Sequence, residues 1–149
     1  MTQKKARESL ALLQKVMEEH IAFNKLLGLR VESFDVDAPK LRFDMRPELV
    51  GNPSRQILHG GVISATLDVA GGFAIMLSLV GDHPVTPTSF PNMGTIDLRV
   101  DYLRPGRGKH FIATARIVRK GSRIAVVHME LHNDTGELIA TGGGAYVIG

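Results

Sequence analysis

The stretch from Gly60 to Val80 limits the possible folds of this chain more than any other, because it is apolar almost throughout and carries one charge, Asp68. A helix that is apolar around its whole circumference is either buried in a protein or spans a membrane. A carboxylate partway along such a helix is costly unless donors, a partner charge or a reaction compensate it. The length alone fits a bilayer, which about 20 residues cross. Against a span stand Asp68 itself, the adjacent pair Gly71-Gly72, and the absence of any second segment of this kind. The expectation is a buried core helix, with no membrane span, whose acid has a task.

With 149 residues the chain fits one domain, 1–149, large enough to bury about two-thirds of its unfolded surface. An apolar share of 44% against 22% charged places it among globular chains rather than disordered ones. It has no cysteine, which excludes disulfides, thiolate metal ligation and a cysteine nucleophile. Met1 to Asn24 lacks an apolar core followed by a small-residue cleavage site and so does not read as a secretory signal; a cytoplasmic location is expected. The net charge of +3 is mildly basic. Without Trp and without a basic run longer than two residues, the chain offers no stacking platform or phosphate-tracking arm. Nucleic acid is therefore not expected as a partner, and a small anionic ligand suits the balance better.

Around the long helix the sequence reads as an α+β domain. Residues 6–27 place Leu10, Leu13, Met17, Ile21 and Phe23 among charges, an amphipathic surface helix with Gly28 set to end it. Residues 29–36 and 40–46 read as short strands around the turn Asp37-Ala38-Pro39, and 47–57 as a loop containing Asn52-Pro53-Ser54. Residues 81–92 hold Pro84, Pro87 and Pro91 and are expected to be irregular. From Thr95 onward the chain alternates as strands. Ile96, Leu98, Val100 and Tyr102 share one face, and Thr95, Asp97, Arg99 and Asp101 the other. Three more strands follow, carrying Phe111 to Ile117, Ala125 to Leu131 and Leu138 to Val147. Five or six antiparallel strands curved around the helix would cover it, and an open sheet edge can be protected by pairing across a dimer.

His59-Gly60-Gly61 opens the helix with free N–H groups and a positive dipole end, where glycine admits close approach of a ligand. Such a site can stabilise a developing oxyanion, although the same residues also make a tight loop entering a packed helix. Asp68 lies eight residues beyond Gly60, about 12 Å along the axis. One substrate carbonyl cannot easily meet both, so a shared reaction would join one chain's helix start to a second chain's Asp68 at a twofold interface. A buried carboxylate bonded to backbone or hydroxyls is the plainer alternative; a general base or nucleophile is the sharper one. Asn52 could steady the same carbonyl, or simply make an Asn-Pro turn. Thr95, on the polar strand face, could hold a water near Asp68. His128 and His132 share a strand face without a cluster that would make a metal site. Arg104, Arg107, Lys109, Arg119, Lys120 and Arg123 lie around two strand ends. They form either a solvated rim or a seat for phosphates, if the strand ends bring them together.

Two motifs carry a resemblance. The first is His59-Gly60-Gly61-Val62-Ile63-Ser64-Ala65-Thr66-Leu67-Asp68, and the second runs Met93-Gly94-Thr95-Ile96-Asp97-Leu98-Arg99-Val100-Asp101-Tyr102-Leu103-Arg104-Pro105-Gly106. In this order they resemble the hotdog-fold acyl-CoA thioesterases of the phenylacetate-pathway type and their YigI-like medium- and long-chain relatives, over essentially the whole chain. The resemblance implies an antiparallel sheet wrapped around one long central helix, with an extra N-terminal helix, assembled as a homodimer or homotetramer. It implies hydrolysis of acyl-CoA to free fatty acid and CoA, without metal or other cofactor. By position it makes Asp68 the base or nucleophile and gives the Gly60 N–H to the thioester carbonyl. Asn52 and His59 would support that end, and Thr95 would stand beside the attacking water. Gly61, Arg104, Arg119, Lys120 and Gly121 would help bind the substrate. A hotdog hydratase or dehydratase, or an acyl-CoA binder without catalysis, are the alternatives.

Overall fold

Alternating apolar side chains in the C-terminal half build the sheet that everything else packs on. In the computed structural model, which describes residues 2–81 and 85–149, six antiparallel strands stand in the order β1-β2-β6-β7-β8-β5. They are β1 (Arg30–Ser33), β2 (Lys40–Asp44), β5 (Gly94–Tyr102), β6 (His110–Lys120), β7 (Ile124–Asn133) and β8 (Leu138–Val147). Phe43 on β2 sits opposite Phe111 on β6, and their rings stack with centroids 5.2 Å apart, the kind of cross-strand pair that stabilises a sheet. Ala125, Val127, Met129 and Leu131 of β7 all face inward and are buried.

The central helix, α3 (Gly60–Leu79), packs across β5, β6, β7 and β8. It is long and apolar enough to cross a membrane, but here it is the core of the sheet's inner face. From Ala70 to Leu77 every residue is buried, which accounts for the apolar circumference of that half. The first half keeps an open side: Gly61 is exposed, and Val62, Ala65, Asp68 and Val69 are only half-buried. This is the hotdog arrangement expected from the resemblance.

Three expectations change. The N-terminal segment is not one helix over 6–27 but α1 (Gln3–Lys15), a π-helical turn at Val16–His20 and α2 (Ala22–Leu27). The helix breaks at Ile21, whose ψ of 101° is extended. The Asn24 amide then caps the freed carbonyl of Met17 at 3.0 Å. Glu18 meanwhile turns to accept the Val31 N–H at 2.8 Å, tying the turn to β1. Leu13, Met17 and Leu27 are buried, while Phe23 stands 53% exposed. Gly28 does end α2, at φ 73° in the left-handed region.

The loop at 47–57 contains a 3₁₀ turn (Pro47–Leu49) and a small ribbon, β3 (Val50–Asn52) with β4 (Ile57–Leu58). Its turn is held by Asn52, whose Oδ1 accepts from the Ser54 N–H and hydroxyl at 3.2 and 2.7 Å. Residues 85–93 are irregular apart from one bridge between Thr86 and Ser89. Pro84, also expected in an irregular stretch, lies outside the described residues.

The third change concerns β5. The strand is not regular: its pairing to β8 slips between Thr95, opposite Tyr146, and Asp97, opposite Ala145. Ile96 is the extra residue of a β-bulge and stands 57% exposed, not on an inward face with Leu98 and Val100. Tyr102 is likewise 53% exposed. Because β5 is the sheet's edge, these apolar groups and the unpaired strand face lie open together.

Candidate active site

The bulge at Ile96 decides what Asp68 meets. In a regular strand Thr95 would share the outer face with Asp97 and Arg99. The slipped register instead pairs Thr95 with Tyr146 and turns it toward α3. Its hydroxyl donates directly to Asp68 Oδ1 at 2.8 Å, where the sequence had suggested a water between them. From the same side the Tyr146 hydroxyl lies 3.0 Å from Asp68 Oδ1 and 3.0 Å from the Asp68 backbone oxygen. Oδ1 thus has two donors and Oδ2 has none among the described residues. The half-buried acid is compensated by hydroxyls, with one oxygen left open.

Asp68 borders an apolar cavity of about 180 Å³ formed by Met17, Ile21, Met76, Phe90 and Met93. A cavity near 150 Å³ accommodates a six-carbon ring, so this one takes an apolar segment of about that size beside the carboxylate. One wall comes from Met17 on the π-helical turn, Ile21 at the break and Asn24 on α2.

At the other end of the site, His59 caps α3. Its Nδ1 accepts the Gly61 N–H at 2.8 Å, so that N–H is taken and Gly61 reaches a ligand only through its open backbone surface. The His59 carbonyl accepts from Val62 at 3.0 Å. The Gly60 N–H finds no acceptor among the described residues and lies at the positive end of the helix dipole. Tyr102 donates to the Gly60 carbonyl at 2.9 Å and so fixes the plane of this end of the helix. The His59 N–H anchors to Leu49 at 2.8 Å, which docks the β3–β4 ribbon, and Asn52 with it, beside the helix start. Asn52 commits its Oδ1 to the Ser54 turn, leaving its amide hydrogens for any outside contact.

Within one chain the basic residues do not gather, which corrects the idea that the strand ends bring them together. Arg104, Arg107 and Lys109 lie before β6, at the end where the Leu58 N–H meets the Gly106 carbonyl at 3.0 Å. Arg119, Lys120 and Arg123 lie at its far end, around the turn where the Gly121 N–H meets Ile124 at 2.9 Å. The eleven residues of β6 separate the groups by about 35 Å. Arg104 is held against the Leu138 carbonyl at 2.9 Å. Lys120 reaches Ser78 Oγ at 3.1 Å, where a cation favours the C-terminal end of α3. On the outer sheet face, His128 and His132 flank Glu130 at 3.5 and 3.9 Å.

Reading the sequence missed two tyrosines. Tyr146 is 2% exposed. A Cβ at Gly71 would come within 2.9 Å of its Cζ, and one at Gly144 within 2.9 Å of its Cε2, so both glycines make the slot it occupies. Burial pushes the Tyr146 phenol far up from its ordinary ionisation, and the Asp68 charge and hydrogen bond push it further. The hydroxyl therefore stays protonated and remains a donor. The available signal was Gly71 on a helix otherwise free to carry larger side chains, since a glycine in mid-helix costs about 1 kcal/mol without a packing reason.

Comparisons with known proteins identify the family and the fold. The thioesterase superfamily matches residues 55–140, from the β3–β4 turn into β8. The medium/long-chain acyl-CoA thioesterase YigI of Escherichia coli (strain K12) is 40% identical over 149 residues, covering 97% of this chain and 96% of its own. A solved structure from Shewanella oneidensis, described as related to the thioesterase superfamily, superposes with a TM-score of 0.85 at 42% identity, covering 97% of each chain. The E. coli PaaI protein from the phenylacetic acid degradation operon superposes at 0.76 with 22% identity over 97% of this chain and 94% of that one, a likeness of fold.

Proposed function

The chain belongs to the thioesterase superfamily, and from that premise we infer that it is an acyl-CoA thioesterase, releasing free acid and CoA from medium- to long-chain acyl-CoA. The observation that carries this reading is Asp68: a carboxylate with one oxygen tied by two hydroxyls and the other open, on the rim of an apolar cavity.

In this reading Oδ2 of Asp68 takes a proton from a water whose oxygen bonds to the thioester carbonyl carbon. The carbonyl electrons move onto its oxygen, which the Gly60 N–H and the helix dipole stabilise. As the carbonyl re-forms, the C–S bond breaks and the departing sulfur takes the proton from Asp68. Because Gly60 and Asp68 of one chain are about 12 Å apart along α3, the two roles fall to different subunits of a homodimer, alone or paired into a homotetramer. The open side of α3 at Val62, Ala65 and Val69, and the exposed edge strand, support such an interface. His59 and Asn52 support the carbonyl end, and the acyl chain runs beside Asp68 into the cavity. The nucleotide phosphates rest on one of the two basic groups: Arg104 near the helix start, or Arg119 and Lys120 at the Gly121 turn. The proposed setting is cytoplasmic fatty acid metabolism.

CoA release from acyl-CoA esters of increasing length, read with a thiol-reactive dye, tests the function, since the chain contributes no cysteine thiol. Asp68→Asn is expected to keep the fold and lower turnover by at least ~10², the low end of a general-base contribution. Saturable binding without turnover across the panel would replace this reading with that of a non-catalytic acyl-CoA binder.

A further inference from the structure

We propose that Tyr146 is a positioning residue for the reaction: its hydroxyl, together with that of Thr95, occupies Oδ1 of Asp68 and leaves Oδ2 as the oxygen that acts. This rests on the reading of Asp68 as the base, and adds which of its oxygens works and what holds it there.

Three observations support it. Tyr146 stands opposite Thr95 in the β5–β8 pairing, so both hydroxyls come to Asp68 from the same side of the helix. Their distances to Oδ1 are 2.8 Å from Thr95 and 3.0 Å from Tyr146, while Oδ2 has no donor among the described residues. The Tyr146 ring is fixed, because Gly71 on α3 and Gly144 on β8 both give up a side chain where a Cβ would strike it. A tyrosine needed only to fill the core would not require two glycines and a hydroxyl aimed at the single acid of the helix. The same hydroxyl lies 3.0 Å from the Asp68 backbone oxygen, so its one proton is shared between that carbonyl and Oδ1.

Donors to a carboxylate favour its charged form. Of the groups bordering the Asp68 cavity, Asp68 and Tyr146 are the titratable ones among the described residues. His59, which the proposed composite site brings from the other subunit, is the same in every variant compared. A displacement of the acidic limb of the pH–rate profile between variants therefore reports on the donors to Asp68. Removing the Tyr146 hydroxyl moves that limb to higher pH; a more acidic phenol, which donates more strongly, moves it to lower pH.

The experiment compares the wild type with Tyr146→Phe, with 3-fluorotyrosine incorporated at position 146, and with Asp68→Asn, all assayed by CoA release against pH. Tyr146→Phe keeps the ring in its slot; melting temperature checks the fold. The expected result is a fall in kcat of about fivefold or more with KM within about twofold, the pattern of an interaction made in the transition state. It comes with limbs displaced in opposite directions by Phe and by 3-fluorotyrosine. If Phe at 146 proves too unstable to assay, the fluorinated variant, which retains the hydroxyl, decides the matter by its limb alone. Loss of activity in Asp68→Asn with wild-type kcat and an unmoved limb in the position-146 variants overturns the assignment of Tyr146 alone. Wild-type turnover in Asp68→Asn removes the reading of Asp68 and the assignment with it.

Discussion

Replacing Thr95 by Val tests the link between the strand bulge and the chemistry. Valine is nearly isosteric and suits a strand, so the substitution removes the hydroxyl and little else. Thr95 is exposed, so its loss leaves the core intact. Its hydrogen bond to Asp68 Oδ1, at 2.8 Å, is short and charge-assisted. A hydrogen bond to a charged group contributes about 1.5–3 kcal/mol in a protein. Water can approach this exposed hydroxyl and replace part of that, leaving about 1 kcal/mol, or a factor of about five in rate. We therefore expect Thr95→Val to lower kcat for acyl-CoA hydrolysis about fivefold, with KM and melting temperature near those of the wild type. Deleting Ile96 removes the bulge while leaving Thr95 opposite Tyr146 and Asp97 opposite Ala145, so Thr95 keeps the face that meets Asp68. The deletion should therefore retain most of the activity, and adding Thr95→Val to it should again lower kcat about fivefold. An unchanged kcat in Thr95→Val, or a change confined to KM, would refute the argument that the bulge delivers a working hydroxyl.

Two further outcomes follow from other parts of the molecule. Met76→Trp fills part of the cavity beside Asp68 and should move the acyl-chain preference toward shorter substrates, measured as kcat/KM across a chain-length series. Asp134 is held below the usual carboxylate range, chiefly by the Lys109 N–H that it accepts at 2.8 Å. A lowered folded value means that this stabilisation is complete above the ordinary aspartate range, about pH 4, and fades as pH falls through the folded value. Asp134→Ala should therefore melt at a lower temperature than the wild type at pH 7, with the difference closing in acid. A difference that persisted below the aspartate range would show that the loop at Gly108 is held by something other than this charge.

The amino-acid pattern by itself determined the main elements, because each is a local matter of period and punctuation. The apolar run to Val80 read as a core helix because Asp68 and Gly71-Gly72 argued against a bilayer. The alternation in 111–117 and 125–131, with the strand-length segment 138–147 after a turn, read as a sheet facing it. His59-Gly60-Gly61 and Asp68 were legible as candidates because a free helix start and a lone carboxylate in an apolar helix both require an explanation. What surrounds Asp68 was decided by tertiary structure, since a one-residue slip in β5 reverses the face of Thr95 while leaving the local composition unchanged. Tyr146 was hidden for the same reason: it is 78 residues from Asp68 in sequence, and only the β8 pairing brings it there. The break at Ile21 likewise came from the demands of packing and of Glu18 on β1, which local helix preference does not register. Periodicity reports which faces of an element are apolar; register and phase report which atoms meet, and those are settled only when the elements pack against one another.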